Sequence, residues 1–161
     1  MNKRTWLLAA SAVTVLAMAG CATTPAPVSV ADTAARTPQL STFDKLLADS
    51  GMSDTLRGAG PYTVFAPSDE AFKALPPKTL DELSHDKTRL KAVLSYHVLQ
   101  AKVMAADVTN SNAKTVQGGE VALSRAGTFV TVEDAVVTQA DVPASNGVVH
   151  VIDRVLMPPK K

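Results

Sequence analysis

Cys21 is the only cysteine of the 161-residue chain, so no disulfide can staple the fold from within and no cluster of thiolates can hold a metal. Aromatic residues are scarce, at 4% against 46% hydrophobic residues overall, so a core must be packed mainly by aliphatic side chains. Neither sign of charge is in excess: 16 Lys and Arg stand against 15 Asp and Glu, a balance that argues against a nucleic-acid or polybasic membrane surface. No repeat at solenoid spacing occurs, and the length suits one domain.

What the N-terminal region does contain is an export pattern. Lys3 and Arg4 precede a continuous apolar run from Trp6 to Ala19, and no further charge appears before Asp32. At about 14 residues the run is too short to cross a bilayer as a helix, which takes roughly 20, so residues 1–20 read as a signal peptide. Two processing signals overlap at its end. Ala17-Met18-Ala19 fits ordinary cleavage, which would release a soluble secreted protein with an unpaired thiol. Met18-Ala19-Gly20-Cys21 resembles a bacterial lipobox, in which cleavage before Cys21 turns that thiol into a lipid anchor. The lipoprotein reading is preferred because it leaves no stray thiol. Ala22 stands where enteric-type lipoproteins retained in the inner membrane carry aspartate, so the outer membrane or periplasm is the expected location. Residues 21–36, rich in Ala, Thr, Pro and Val without a steady period, are expected to form a flexible tether.

The folded domain is expected over residues 37–158, with a basic tail at 159–161. Ser41 or Thr42 can cap a helix carrying Phe43, Leu46 and Leu47 at helical spacing, and Gly51 is placed to stop it. A second short helix is expected over Ser53–Arg57. Tyr62, Val64 and Phe65 have strand propensity, Pro67 ends that run, and Ser68 can cap the helix that Asp69 and Glu70 open. Thr79 and Glu82 have capping-box spacing, and Leu90, Val93, Leu94 and His97 line one face of the next helix. From Ala113 the period changes to two, with Gly118-Gly119 and Ala126-Gly127 separating three strand candidates. Helices first and strands later indicate an α+β fold.

Catalytic patterns are sparse. His85, His97 and His150 lack the spacing that preorganises a zinc shell, and His85 in "LSHDKT" reads as a solvated side chain. There is no G-x-S-x-G elbow, no Walker-type loop, and Gly118-Gly119 reads as a hairpin turn. Asp81-Glu82 and Glu133-Asp134 are adjacent acids that diverge on their elements and read as solvated faces. The expectation is therefore no catalytic residue, no metal and no cofactor.

His150 is the exception that needs a reading. Asn146-Gly147 is a strong turn signal, after which Val148, His150 and Ile152 share one side of a strand, with Val149, Val151 and Asp153 on the other. Both faces are largely apolar, so the strand is expected to be central, with a neutral, hydrogen-bonded histidine as part of the scaffold. The alternative is an envelope hydrolase or small-ligand carrier with a cleft near His150 and Asp153; a ring enclosed by aliphatic side chains counts against it.

Three blocks, "GPYTVFAPSDEAFKAL" (60–75), "LKAVLSYHVL" (90–99) and "SNGVVHVIDRVLMP" (145–158), together resemble a fasciclin domain over about Thr37 to Pro158. The resemblance implies a β-wedge or sandwich packed with several short α-helices. It also implies an extracytoplasmic adhesion or protein-interaction module without a cofactor, its partner another protein or a surface polysaccharide. By position it carries two proposed binding segments of animal relatives onto Tyr96-His97, with Val93, Leu94, Val98 and Leu99 beside them, and onto Asp141-Val142 before the Asn146-Gly147 turn. Because Val93, Leu94 and His97 share the apolar stripe, a structural role for Tyr96-His97 is preferred. A monomer is expected.

Overall fold

The computed structural model describes residues 28–159. Signal-peptide and lipidation readings, Cys21 included, and Lys160-Lys161 of the tail fall outside them. Ser29 caps helix α1 (Val30–Arg36): its Oγ accepts from the Asp32 N–H at 3.2 Å and donates to Oδ2 of Asp32 at 2.7 Å, a reciprocal capping pair. This helix buries Val30, Ala31, Thr33 and Ala34, so the expected tether over 21–36 is corrected: its last nine residues are packed into, or lead directly onto, the domain. The physical reason is that small side chains let the helix approach the body closely without a conspicuous apolar stripe.

A 3₁₀ turn at Pro38–Leu40 leads into α2 (Ser41–Asp49), followed by α3 (Met52–Arg57) across Gly51, whose φ of 70° is left-handed. Neither Ser41 nor Thr42 caps α2. The carboxylate of Asp69 does so from outside, accepting from the Thr42 N–H and the Ser41 hydroxyl, both at 2.7 Å. Strand β1 (Tyr62–Pro67) and α4 (Asp69–Lys73), capped by Ser68, come next. The start of α5 (Pro77–His85) is Pro at its first turn, two residues ahead of the expected Thr79, and no side chain caps it. Asp86 caps α6 (Lys87–Tyr96), accepting from the N–H groups of Thr88 and Arg89.

The remaining strands are β2 (Val98–Leu99), β3 (Ser111–Lys114), β4 (Glu120–Ala126), β5 (Phe129–Val132), β6 (Ala135–Ala144) and β7 (Gly147–Ile152). The late β region thus holds more strands than expected, because Glu133, at φ 54°, makes a tight turn within what read as one run. Their order in the sheet is β2-β1-β7-β6-β5-β4-β3, with only β1 and β7 parallel. A bridge between Leu99 and Thr115, and the bond from the Val116 N–H to the Val98 carbonyl at 2.8 Å, bring the two ends together, so the sheet is nearly a barrel.

β7 lies between β1 and β6, central as its two apolar faces predict. Val64, Ala66, Val149 and Val151 face the helices, where Leu40, Phe43, Leu47, Leu56 and Leu90 complete one core. Phe65 and Ile152 face the barrel interior with Leu99, Val121, Leu123, Val130 and Val132. The fold is α+β, with a mixed wedge-like sheet and several short helices.

Candidate functional site

His97 ends α6 as its C-cap residue and is fully buried. Its Nδ1 lies 2.8 Å from the Val93 carbonyl, and the Leu156 N–H lies 2.9 Å from its Nε2. A carbonyl can only accept and an amide N–H can only donate, so the ring is neutral with its proton on Nδ1. Burial lowers its pKa to about 4, against a weaker opposing effect of the Val93 bond. The ring joins α6 to the C-terminal segment after β7.

His150 has the opposite tautomer. Its Nε2–H donates to the Val103 carbonyl at 2.8 Å, and its Nδ1 accepts from the Asp141 N–H at 3.2 Å. The ring is 1% exposed and stacked on Phe65 at 5.5 Å. Burial lowers its pKa, with the Val103 bond and the Asp141 charge opposing. Both ring nitrogens are thus engaged by backbone groups.

Asp141, at φ 55° in the irregular stretch of β6, accepts the Ala105 N–H on Oδ1 at 2.8 Å. It therefore ties the 103–105 loop down at Ala105, while His150, itself bonded to Asp141, ties it at Val103. Val142 pairs with Val149 and packs against the helical core. The Tyr96 hydroxyl donates to the Glu120 carbonyl at 2.9 Å and lies 3.4 Å from Oε1 of Glu133. Burial, and then the Glu133 charge, raise its pKa. Tyr96 and His97 are both buried, so a partner reaches them only after local opening.

Asn146 is the most connected of the expected residues. Its Oδ1 accepts the Val30 N–H at 2.8 Å, and its Nδ2 donates to the carbonyls of Leu56 and Gly58, each at 2.7 Å. One carboxamide thus ties α1 and the end of α3 to the start of β7. A Cβ on Gly147 would lie 1.9 Å from the Tyr62 carbonyl oxygen, and one on Gly60 would lie 2.0 Å from that of Asn146; only glycine lets the backbones approach this closely.

Asp153 stays at the surface, where Oδ1 accepts the Val136 N–H at 2.7 Å. It lines a shallow depression of about 680 Å³ with Gln39, Ser68, Asp69, Glu70, Lys73 and Thr138. His150 faces the 103–105 loop instead, so the cleft of the alternative reading, joining His150 and Asp153, does not form. His85 is exposed beside Asp81, as expected of a solvated side chain. Among the described residues no group of three or more His, Cys, Asp or Glu could hold a metal.

Two roles escaped the sequence. Glu133 is not simply solvated: Oε1 accepts the Ala122 N–H at 3.0 Å, closing the β5–β6 turn onto β4. Asp69 caps a second helix; burial opposes its ionisation, but the bonds from Thr42 and Ser41 hold its carboxyl below the usual range. The Ser29–Asp32 capping pair was a local signal for α1; nothing local marks the partners of Glu133 or Asp141.

The family model described as the Fasciclin domain matches residues 38–158. Protein sll1483 of Synechocystis is 36% identical over 86% of this chain and 78% of its own. Immunogenic protein MPB70 of Mycobacterium bovis is 38% identical over 83% of this chain and 69% of its own. Cell surface glycolipoprotein MPB83 of the same species is 37% identical over 81% and 60%. Among solved structures, a FAS1 domain pair from the insect cell adhesion molecule Fasciclin I superposes with a TM-score of 0.65 at 19% identity, covering 81% of this chain and 51% of that pair. The family match extends over the blocks that contain Tyr62–Pro67, Tyr96-His97 and Gly147–Ile152, and the chain belongs to the fasciclin domain family.

Proposed function

We propose that the protein is a non-enzymatic, monomeric cell-envelope lipoprotein, anchored through Cys21 and binding another protein or a surface polysaccharide through its peripheral loops. The observation that carries this reading is that, among the described residues, the buried side chains best suited to chemistry are committed to internal bonds. His97 and His150 each have both ring nitrogens engaged by backbone groups, and Tyr96 and Asp141 bridge neighbouring segments. None is left with an open position beside a nucleophile, as general acid–base or nucleophilic catalysis requires. The similarity to a cell surface glycolipoprotein supports the envelope location, and the lipobox-like Met18-Ala19-Gly20-Cys21 supports the anchor, preferably in an outer membrane.

Two measurements test the reading. Radiolabelled palmitate should enter the full chain and not its Cys21→Ser variant. The domain from Val28 onward should bind envelope material saturably, and binding should survive substitutions at exposed Ser and Lys residues far from the responsible loop. Turnover of ester or glycoside substrates by the purified domain would overturn the non-enzymatic part.

A further inference from the structure

If the lipid anchor just proposed is correct, the fold dictates which end of the domain faces the membrane. We infer that the rim formed by Val28, Gly58–Pro61 and Ala144–Gly147 is held against the lipid headgroup layer, with the opposite end of β1 and β7 directed away from it.

The first argument is length. Val28 is fixed to the body: its carbonyl accepts the Ser145 N–H at 2.8 Å, and the Asn146 carboxamide holds the Val30 N–H two residues later. Only six residues, Ala22 to Pro27, separate it from Cys21. Whatever their conformation, seven residue steps reach at most about 25 Å. A tether running to residue 36 would have allowed roughly twice that and left the domain free to tumble. The buried face of α1 removes that freedom.

The second argument is charge. β1 and β7 are parallel and in register from Tyr62–Gly147 to Pro67–Ile152, so their starts and ends define two poles about 17 Å apart. At the starting pole, the hollow lined by Ala59, Gly60, Pro61, Lys102, Ala144, Ser145, Asn146 and Gly147 has one charged side chain, and it is a lysine. Nearby Arg57 lies 3.2 Å from Asp32 and 3.5 Å from Asp54, which leaves one carboxylate charge over, and the lysine of the hollow offsets it, so this pole is close to neutral. At the ending pole stand Asp69, Glu70 and Asp153 around Lys73, and Glu133 and Asp134 beside Arg154. A headgroup layer of net negative charge repels the second pole and accepts the first.

The test uses the full lipidated chain in vesicles of phosphatidylethanolamine and phosphatidylglycerol that carry a headgroup nitroxide quencher. Because Cys21 is acylated, a bimane label attaches only to an introduced cysteine: Ser145→Cys at the starting pole or Glu70→Cys at the ending pole. Vesicle flotation reports the anchor separately from the quenching. Flotation with the Ser145→Cys label quenched at least twofold more strongly than the Glu70→Cys label is the expected result. Flotation with equal or reversed quenching overturns the orientation and leaves the anchor standing. Failure to float overturns the anchor and the orientation with it. Inserting ten Gly/Ser residues between Pro27 and Val28 should collapse the difference; a difference that survives the insertion overturns the short tether as its cause.

Discussion

The two faces of the β1–β7 pair are held together by different means. On the helical side, Phe43, Leu47, Leu56, Leu90, Val149 and Val151 interlock as an apolar core in which shape complementarity is the main cohesive device, with the Asn146 carboxamide as a polar tie at its edge. On the barrel side, packing around Phe65 and Ile152 is supplemented by single polar side chains that each tie down a loop or turn: His150 and Asp141 the 103–105 loop, Glu133 and Tyr96 the β5–β6 turn. His97 stands at the seam, 6.5 Å from Phe43 between ring centres and bonded to Leu156 of the barrel core. Apolar packing spreads a loss over many neighbours, whereas a strut fails at one place.

The largest expected effect is on the packed side. Phe43→Ala, at a residue with no exposure, should cost about 3–5 kcal/mol, seen in denaturant melts as a lower midpoint for the whole domain. If only part of the structure were lost, the helical layer would be a separate cooperative unit and the contrast would need redrawing.

Acid should find the struts next. Because the folded-state pKa of His97 is depressed from 6.5 to about 4, its contribution is constant above pH 6.5 and is lost as pH falls towards 4, a change of roughly 3 kcal/mol. His150, depressed for the same reason, adds to the slope in the same direction. His97→Gln offers a donor and an acceptor without a titrating group, so it should lower stability at neutral pH and flatten the acid limb. An unchanged slope would remove His97 as its source.

His150→Ala should cost about 2 kcal/mol globally through a cavity and two orphaned backbone groups. It should also accelerate amide exchange at Ala105 and Asp141 more than in α2 or α6. Uniform acceleration would mean that the barrel side is not locally pinned. The smallest effect belongs to Glu133→Gln, which keeps the shape at an exposed turn and should cost under about 1 kcal/mol. Phenolate titration should show the Tyr96 midpoint moving down, since the Glu133 charge is one of the causes that raise it.

The same contrast explains what could be read in advance. α2, α3, β1, α4 and the apolar stripe of α6 announce themselves because periodicity and local turn residues act over a few positions, and the two-faced apolarity of "VVHVI" marks β7 as central. The burial of His150 was legible for that reason. Its partners were not: Val103 and Asp141 approach it through loop geometry that no short window encodes. Asp141 and Glu133 adopt positive φ, which non-glycine side chains seldom signal. α1 was hidden by composition, since Ala and Thr supply close approach without a visible stripe, although Ser29 and Asp32 carried a capping signature.

The partnership of Tyr62–Pro67 with Gly147–Ile152 has a consequence for the order of events at the ribosome. The six α-helices of the described residues and β1 have all been synthesised before the strand that must lie beside β1 exists. A growing chain therefore holds β1–β2 and β3–β6 as two separate pieces until β7 emerges to join them, and the sheet is completed only then. A premature stop anywhere before Gly147 removes the central strand along with the tail end.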